Sequence, residues 1–575
     1  MLVKKTIIQF LNSTRTNSDL KLLKMVFTGI TSNRKSYSEV KIPKTKVLNE
    51  LNLMVSGNDT TKNKEYDNPK YIAAAVEYHP NLGPHPLQSI ENNLPIYEDI
   101  IHNASQYDVD ILVFPEAGLS GVILPQDRKE IRKFLMEIPS PESNTIPCFN
   151  EYCSTVLSKL SCAARLHHMY VVVNLPEIEY CNKEDSAQCS EDSANYYNTN
   201  VVFDREGRII ARYRKFNLFI ELGFNHTKLS ELCTFDTDFG VRFGMFICFD
   251  ILFQDPAARL VQESGVKDVI FSAAWFSEVP LLAADSVQAG WAYANDVNLI
   301  AAGYNDPKMC GGGSGIYAGK DGPLVMYMPD RAGTHIILSR VPKRRYHNNN
   351  GGQSYNKRSI SSTYLTFMSD YLVLPYGKEK NLPNSNRPSD LRFFADNSFK
   401  YFNVAAMRSA DPDTSQDETL TATFEYKRDG FECAMTVSWL NENNNDTTCY
   451  DMFAYTGTKR FGILNMHIET CGLTAYKQSG PGGGAIVHYD PPKDMVTITA
   501  IAIRARSTNL DTLPIPSTLD ARNYPLASDH YTFGHRTVNV AAGKRKMLQI
   551  DMVLSKPVAN LVTFGIYKLP QPLKG

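Results

Sequence analysis

The sequence predicts a layered α/β domain followed by a smaller β-rich domain, and three observations carry that reading. From Tyr71 onward, short apolar runs alternate with amphipathic stretches of helical length. Layered α/β structures have this texture because helices must cover the faces of their sheets. Around 343–359 the chain turns basic, then Asn/Gly-rich, and the apolar texture stops, which marks a loop or domain boundary. Beyond that point strand-like runs recur with few helical competitors.

In chain order, 71–76, 110–114, 170–174, 200–203, 242–247, 268–273 and 298–302 read as buried strands, each a short apolar run. Between them the spacing predicts helices at about 87–105, 150–167, 255–264 and 282–296. Strands at 420–426, 434–440, 495–505, 547–554 and 561–568 build the last third. The expected organisation is a polar, mobile leader over 1–65, an α/β domain over 66–345, a linking segment over 346–400 and a β-rich domain over 401–575. No internal repeat appears.

Composition excludes several classes. In 575 residues, 43% are apolar and 21% charged, ordinary globular values that leave material for a sizeable core. Lys and Arg total 60 against 61 Asp and Glu, so the chain lacks the basic footprint of a nucleic-acid binder or a polybasic membrane patch. No window approaches the roughly 18 unbroken apolar residues of a transmembrane helix. The stretches 6–11 and 20–28 are too short and interrupted for a secretory signal, and 561–575 lacks the apolar tail of a lipid-anchor signal.

Cysteine usage points to an oxidising compartment. There are 11 cysteines, clustered at Cys148, Cys153, Cys162, Cys181, Cys189 and Cys233, then at Cys433, Cys449 and Cys471. None forms a Cys-x-x-Cys zinc or redox pair, and the odd count leaves one thiol over. Cys181 and Cys189 flank a polar loop that local pairing would close. Glycan acceptor sequences begin at Asn12, Asn58, Asn103, Asn225 and Asn445, a number that an Asn-rich chain also reaches by chance.

Three strand ends carry chemistry. The first is Asp110-Ile-Leu-Val-Phe-Pro-Glu116, a strand stopped by proline and followed by a carboxylate. The second is Arg208-Ile-Ile-Ala-Arg-Tyr-Arg-Lys215, continuing Phe-Asn-Leu-Phe-Ile-Glu221. The third is Phe243-Gly-Met-Phe-Ile-Cys248, continuing Phe-Asp250. Singly, each has a bland reading: a solvated turn carboxylate, an exposed charge, a small core hydrophobe. Jointly they supply amide hydrolysis. A carboxylate and an ammonium activate the Cys248 thiol for attack, Glu116 carries the proton to the leaving nitrogen, and Lys215 stabilises the oxyanion. Glu221 takes an auxiliary role, holding Lys215 or the water.

At these residues the sequence resembles the carbon–nitrogen hydrolase (nitrilase) superfamily, and within it the vanin and biotinidase branch. Glu116, Lys215 and Cys248 match its Glu, Lys, Cys order. Cys248-Phe-Asp-Ile-Leu-Phe-Gln-Asp-Pro-Ala257, Gly315-Ile-Tyr317, Asn198-Thr-Asn-Val-Val-Phe-Asp204 and Asn217-Leu-Phe219 are similar to segments of the branch. The resemblance implies an α-β-β-α sandwich, no cofactor, no metal, and a secreted glycoprotein with Cys248 free and the other ten cysteines paired. It also implies a small-molecule amide substrate cleaved through a cysteine thioester, of the pantetheine class. Biotin amides such as biocytin, or a non-catalytic secreted binding protein on the same fold, are the alternatives. Gly315-Ile-Tyr317 is closer to vanins, whereas Pro280-Leu-Leu-Ala-Ala284 and the Lys215-to-Glu221 spacing are closer to biotinidase. Trp275, Phe276, Trp291 and Tyr304 are candidate pocket aromatics, set against ordinary core packing.

Two other motifs carry less. Gly311-Gly-Gly-Ser-Gly315 lacks the lysine of a phosphate loop, and the adjacent His167 and His168 point apart, so neither predicts a ligand site.

Overall fold

The computed structural model describes residues 69–182, 189–344, 371–376, 390–396, 398–407, 419–440, 450–475, 486–488, 495–540 and 545–569. The expected leader over 1–65, the acceptors Asn12, Asn58 and Asn445, and Cys449 lie outside the described residues.

The strands of the first domain are β1 (Lys70–Glu77), β2 (Ile111–Val113), β3 (Tyr170–Tyr180), β4 (Ala194–Phe203), β5 (Ile209–Arg214), β6 (Thr234–Asp236) and β7 (Arg242–Ile247). They continue with β8 (Asp268–Ala273), β9 (Glu278–Val279), β10 (Asn298–Gly303), β11 (Ser314–Ala318), β12 (Pro323–Tyr327), β13 (Thr334–Pro342) and β14 (Tyr371–Tyr376). The helices are α1 (Pro86–Ala104), α2 (Arg128–Arg132), α3 (Thr155–His167), α4 (Arg259–Ser264) and α5 (Ala284–Asn295).

Two sheets face each other, one ordered β14-β13-β1-β2-β3-β4-β5 and the other β12-β11-β10-β8-β7-β6. Alternation along β1 divides its side chains. Tyr71, Ala73 and Ala75 enter the core between the sheets, where Met245, Ile247, Val269 and Phe271 meet them. Ala74 and Val76 turn outward against Ile90, Tyr97 and Ile101 of α1 and Leu157 and Leu160 of α3. Both faces are therefore covered, and the strands read as unbroken apolar runs for that reason. On the far side α5 sets Trp291 against Phe246, ring centres 5.0 Å apart. The result is the α-β-β-α sandwich.

Most boundaries move for local reasons. α3 starts at Thr155 because the Ser154 hydroxyl accepts from the Leu157 N–H at 3.3 Å. The strand expected at 200–203 runs back to Ala194 as β4, since the buried polar residues Asn195, Thr199 and Asn200 and the half-buried Asn198 conceal the period. The segment expected to link the domains over 346–400 contains, among its described residues, β14, which extends the first sheet beside β13, and Arg392–Ala395, which pairs with β9. β14 is a short apolar run, Tyr-Leu-Val-Leu-Pro-Tyr, set between polar stretches, and it forms the half-buried edge of its sheet.

The last third is a sandwich of two five-stranded antiparallel sheets. Between them pack Met435, Val437, Ile503 and Ile550 from one sheet and Leu473, Phe564 and Ile566 from the other. Hairpin Asp451–Phe461 and Leu464–Thr474, with Ile515–Asp520 and Tyr531–Val540, are strands beyond those the sequence predicts. This domain seats on α5. A Cβ at Gly290 would lie 2.0 Å from the Pro516 carbonyl oxygen, so only glycine admits that approach.

Three disulfides occur among the described residues: Cys148–Cys162, Cys181–Cys189 and Cys433–Cys471. Cys248 is free. The expectation that the other ten cysteines pair is corrected, because Cys153, Cys233 and Cys310 are also free. Cys310 is buried without a partner sulfur and packs as a small hydrophobe.

Candidate active site

Parallel β2 and β7 end on the same side of the facing sheets, where side chains of an α/β fold project into open space. After β2, Pro115 ends the pairing and delivers Glu116. The Ser272 hydroxyl donates to the Phe114 carbonyl at 2.8 Å and fixes that exit. After β5, the Lys215 N–H donates to the Asn198 carbonyl at 2.8 Å, so the lysine leaves in register with β4. After β7, Cys248 turns sharply with φ 47°, a left-handed conformation that costs a non-glycine residue. Asp250 stabilises the turn by accepting from the Ile247 N–H at 3.1 Å and the Tyr213 hydroxyl at 2.8 Å. The same carboxylate accepts from the Asn217 N–H and side chain at 2.8 and 2.9 Å. It thus ties the cysteine turn to the chain following Lys215.

Glu116, Lys215 and Cys248 come together. Lys215 Nζ donates to Glu116 Oε1 at 2.7 Å and to Glu221 Oε1 at 2.5 Å. Asn198 Nδ2 bridges the two carboxylates, at 2.8 Å from Glu116 and 3.0 Å from Glu221. Glu116 Oε2 accepts from the Ala274 N–H at 2.9 Å, and the Cys248 thiol hydrogen bonds to Glu116. The Phe219 N–H donates to the second Glu221 oxygen. Asn174 braces the floor, accepting from the Ala117 N–H at 2.9 Å and donating to Asn198 at 2.7 Å.

Burial and charge set the protonation states. Burial works against charge on Lys215, but Glu116 and Glu221 more than offset it and hold the ammonium well above the ordinary lysine range. Burial pushes Glu116 up, yet the Lys215 charge and hydrogen bond hold it below the ordinary carboxylate range. Burial and the Glu116 charge push the Cys248 thiol well above its ordinary value, against the pull of Lys215. At rest the cluster is a carboxylate, an ammonium and a neutral thiol. Such a set can attack a carbonyl, carry one proton and neutralise a developing oxyanion.

The cleft above it has an apolar wall of Val122, Leu124, Leu175, Phe219, Phe224 and Phe276. Of the expected pocket aromatics, Phe276 is there. Trp275 is in the core, its indole N–H donating to the Leu282 carbonyl at 2.9 Å, and Tyr304 and Trp291 are buried away from the lining. The core-packing reading holds for those three, because each follows or faces a strand that is covered on both sides.

Asn198, Asn174, Phe219 and Phe224 are site residues that sequence reasoning did not assign. Asn198 lay within a recognised segment, and its polarity inside a buried strand was the available signal. The C-terminal domain also reaches the site. Phe461 lies 5.7 Å from Phe249, which lies 5.0 Å from Phe219, and Gly462 abuts Ile220.

Of the described glycan acceptors, Asn103 ends α1 and donates to the Asp99 carbonyl at 2.8 Å, while Asn225 sits in a polar network beside the cleft. The loop Gly311–Ser314 packs on buried Glu77, away from the cleft.

Known proteins resemble this chain in both of its domains. Residues 72–318 match the carbon-nitrogen hydrolase family and residues 392–571 the vanin C-terminal domain. The chain is 32% identical over 517 residues to vanin-like protein 1 of Drosophila melanogaster, covering 86% of this chain and 85% of that one. It is 38% identical over 298 residues to biotinidase of Homo sapiens, covering 48% of this chain and 53% of that one. It is 43% identical over 245 residues to pantetheinase of Mus musculus, covering 42% and 47%. The chain thus spans about half the length of the last two relatives.

Proposed function

The chain belongs to the vanin and biotinidase branch of the carbon–nitrogen hydrolases, and from that membership we propose that its cleft hydrolyses a linear, non-peptide amide of the pantetheine class through a thioester on Cys248. The observation that carries the proposal is the contact of Glu116, Lys215 and a free Cys248 thiol under an apolar cleft.

The steps follow from the resting charges. Cys248 Sγ attacks the amide carbonyl carbon as its proton passes to Glu116, so the thiolate forms only in the presence of the electrophile. The carbonyl oxygen takes up negative charge, and Lys215 Nζ balances it in a site closed to bulk water. As the C–N bond breaks, Glu116 returns the proton to the nitrogen and the amine departs. Glu116 then takes a proton from water, which attacks the thioester; as the C–S bond breaks, Glu116 passes that proton to the sulfur, the thiol is restored and the acid leaves. Glu221 and Asn198 keep Lys215 and Glu116 aligned through both halves.

The same reading makes this a secreted protein. Disulfides persist where thiols are not held reduced, and three are present among the described residues. No described helix is long and apolar enough to cross a membrane.

The test is parallel hydrolysis of pantetheine and biocytin by the full chain, with Lys215→Ala and Glu116→Gln as controls. Release of cysteamine from pantetheine, lost in both variants, is the expected result. Biocytin cleavage without pantetheine cleavage would reassign the substrate. Full activity in both variants would end the mechanism.

A further inference from the structure

The cleft wall from Asn217 to Asn225 has neither helix nor strand of its own, yet it carries Phe219, Glu221 and Phe224. Its first end is held by Asp250. Its far end is held by Asn225. The Asn225 N–H donates to the Tyr196 carbonyl at 2.7 Å, and its Oδ1 accepts from the Tyr196 N–H at 2.8 Å. One asparagine therefore pairs with the start of β4 as a neighbouring strand would, using its side chain as the second peptide group. Asn225 Nδ2 donates to the Ser190 hydroxyl at 2.8 Å.

Arg128 completes the clasp. Its guanidinium donates to the Gly223 carbonyl at 2.6 Å, to Asn225 Oδ1 at 3.2 Å and to the Ala194 carbonyl at 2.8 Å. It also grips both oxygens of Asp192 at 2.9 and 3.2 Å and lies 3.8 Å over the Tyr196 ring. Such a planar fork, with its donors engaged, fixes geometry as much as it adds energy. Ser190 and Asp192 follow directly on the Cys181–Cys189 disulfide, so the clasp rests on a stapled loop.

Asn225 opens an Asn-His-Thr acceptor sequence, but its side-chain amide is engaged at both ends, Oδ1 by the Tyr196 N–H and Arg128 and Nδ2 by the Ser190 hydroxyl. A glycan there would take one of the two Nδ2 hydrogens and would have to fit beside the Ser190 and Arg128 contacts of the clasp. We propose that Asn225 is a positioning residue that sets the substrate wall, and that it carries no glycan. The positioning half rests on the reading of the cleft as the amidase site.

The test uses the full chain from a glycosylating eukaryotic host. Glycopeptide mapping should find Asn225 bare. Asn225→Ala should raise KM for pantetheine about fivefold or more while kcat stays within about twofold, the signature of lost substrate positioning. The same variant should speed iodoacetamide alkylation of Cys248 by a similar factor, since that thiol is only 5% exposed behind the wall. Thr227→Val deletes the acceptor sequence without touching the clasp, and should match the parent throughout. Should Asn225→Ala not fold, Asn225→Asp, which keeps the acceptor for Tyr196 and Arg128, should give an intermediate change. A glycan on Asn225, or parental KM and alkylation rate in the variants, overturns the proposal. A parent inert toward pantetheine and biocytin would defeat the amidase reading, while the glycan map and the alkylation rate would still decide this one.

Discussion

Lys215 Nζ donates to Glu116 Oε1 at 2.7 Å, and both side chains are all but closed to solvent. With Glu221 on the same ammonium, the cluster holds two carboxylates against one cation before the thiol ionises. A resting thiolate would add a second uncompensated negative charge in a poorly solvated place. Attack coupled to proton transfer avoids that state, and several measurable consequences follow from it.

Removing the ammonium leaves the buried Glu116 carboxylate facing the half-buried Glu221 with no cation between them. Lys215→Ala should lower kcat/KM by about 10³ and lower the unfolding midpoint, because an uncompensated buried charge is costly. Lys215→Arg should not restore activity, since a planar guanidinium cannot replace a point ammonium between Glu116 and Glu221. Steady-state kinetics and thermal unfolding of the two variants check this.

The proposed mechanism needs Glu116 ionised. Lys215 holds that carboxylate below its ordinary range although burial pushes the other way, so the acid limb of kcat/KM should fall below about pH 4.3. The Cys248 thiol and the Lys215 ammonium both titrate well above their ordinary values, which leaves no alkaline limb below about pH 9. A limb near pH 6 or 7 would contradict the assigned charges.

Glu77 titrates without taking part in the chemistry. Fully buried at the end of β1, it accepts from Ser314, Asn305 and the Gly313 N–H, and burial pushes it up to about 8. The folded state thus keeps a proton that the unfolded chain releases near pH 4.3, roughly the free value. The Glu77 contribution to stability is full below that value and declines as pH rises to about 8. Glu77→Gln should flatten part of that decline in unfolding midpoints measured from pH 5 to 9; an unchanged slope would refute it.

The C-terminal domain braces the site through Phe461. Phe461→Ala removes the ring beside Phe249 and should cost about 3–5 kcal/mol in unfolding free energy, as other buried Phe-to-Ala changes do. It should also raise KM, because Phe249 backs Phe219 in the wall. Denaturant titration and kinetics of the one variant test both effects.

Much of this was legible in the sequence, for identifiable reasons. Cys248 directly follows apolar β7, Glu116 comes after β2 and the Pro115 that stops it, and Lys215 directly follows β5, so strand ends announced them. The covered strands of the sandwich showed as apolar runs because water reaches neither face. What stayed hidden depends on contacts between distant segments. Asn198 spans Glu116 and Glu221 only once β4 lies between them, and nothing in its neighbours signals that. β14 is an apolar run of only six residues at the edge of its sheet, and the strand Asp451–Phe461 mixes polar and apolar residues because its sheet is covered unevenly. Trp275 and Tyr304 looked like pocket residues, but proximity in sequence to a strand end does not tell which side of the strand a ring takes.

The most direct test is acid-quench mass spectrometry of the full chain during turnover of pantetheine. The account predicts a pantothenoyl thioester on the peptide bearing Cys248, absent in Cys248→Ala, which should also be inactive. Turnover by Cys248→Ala at the parental rate, or an acyl group carried on another residue, would contradict it.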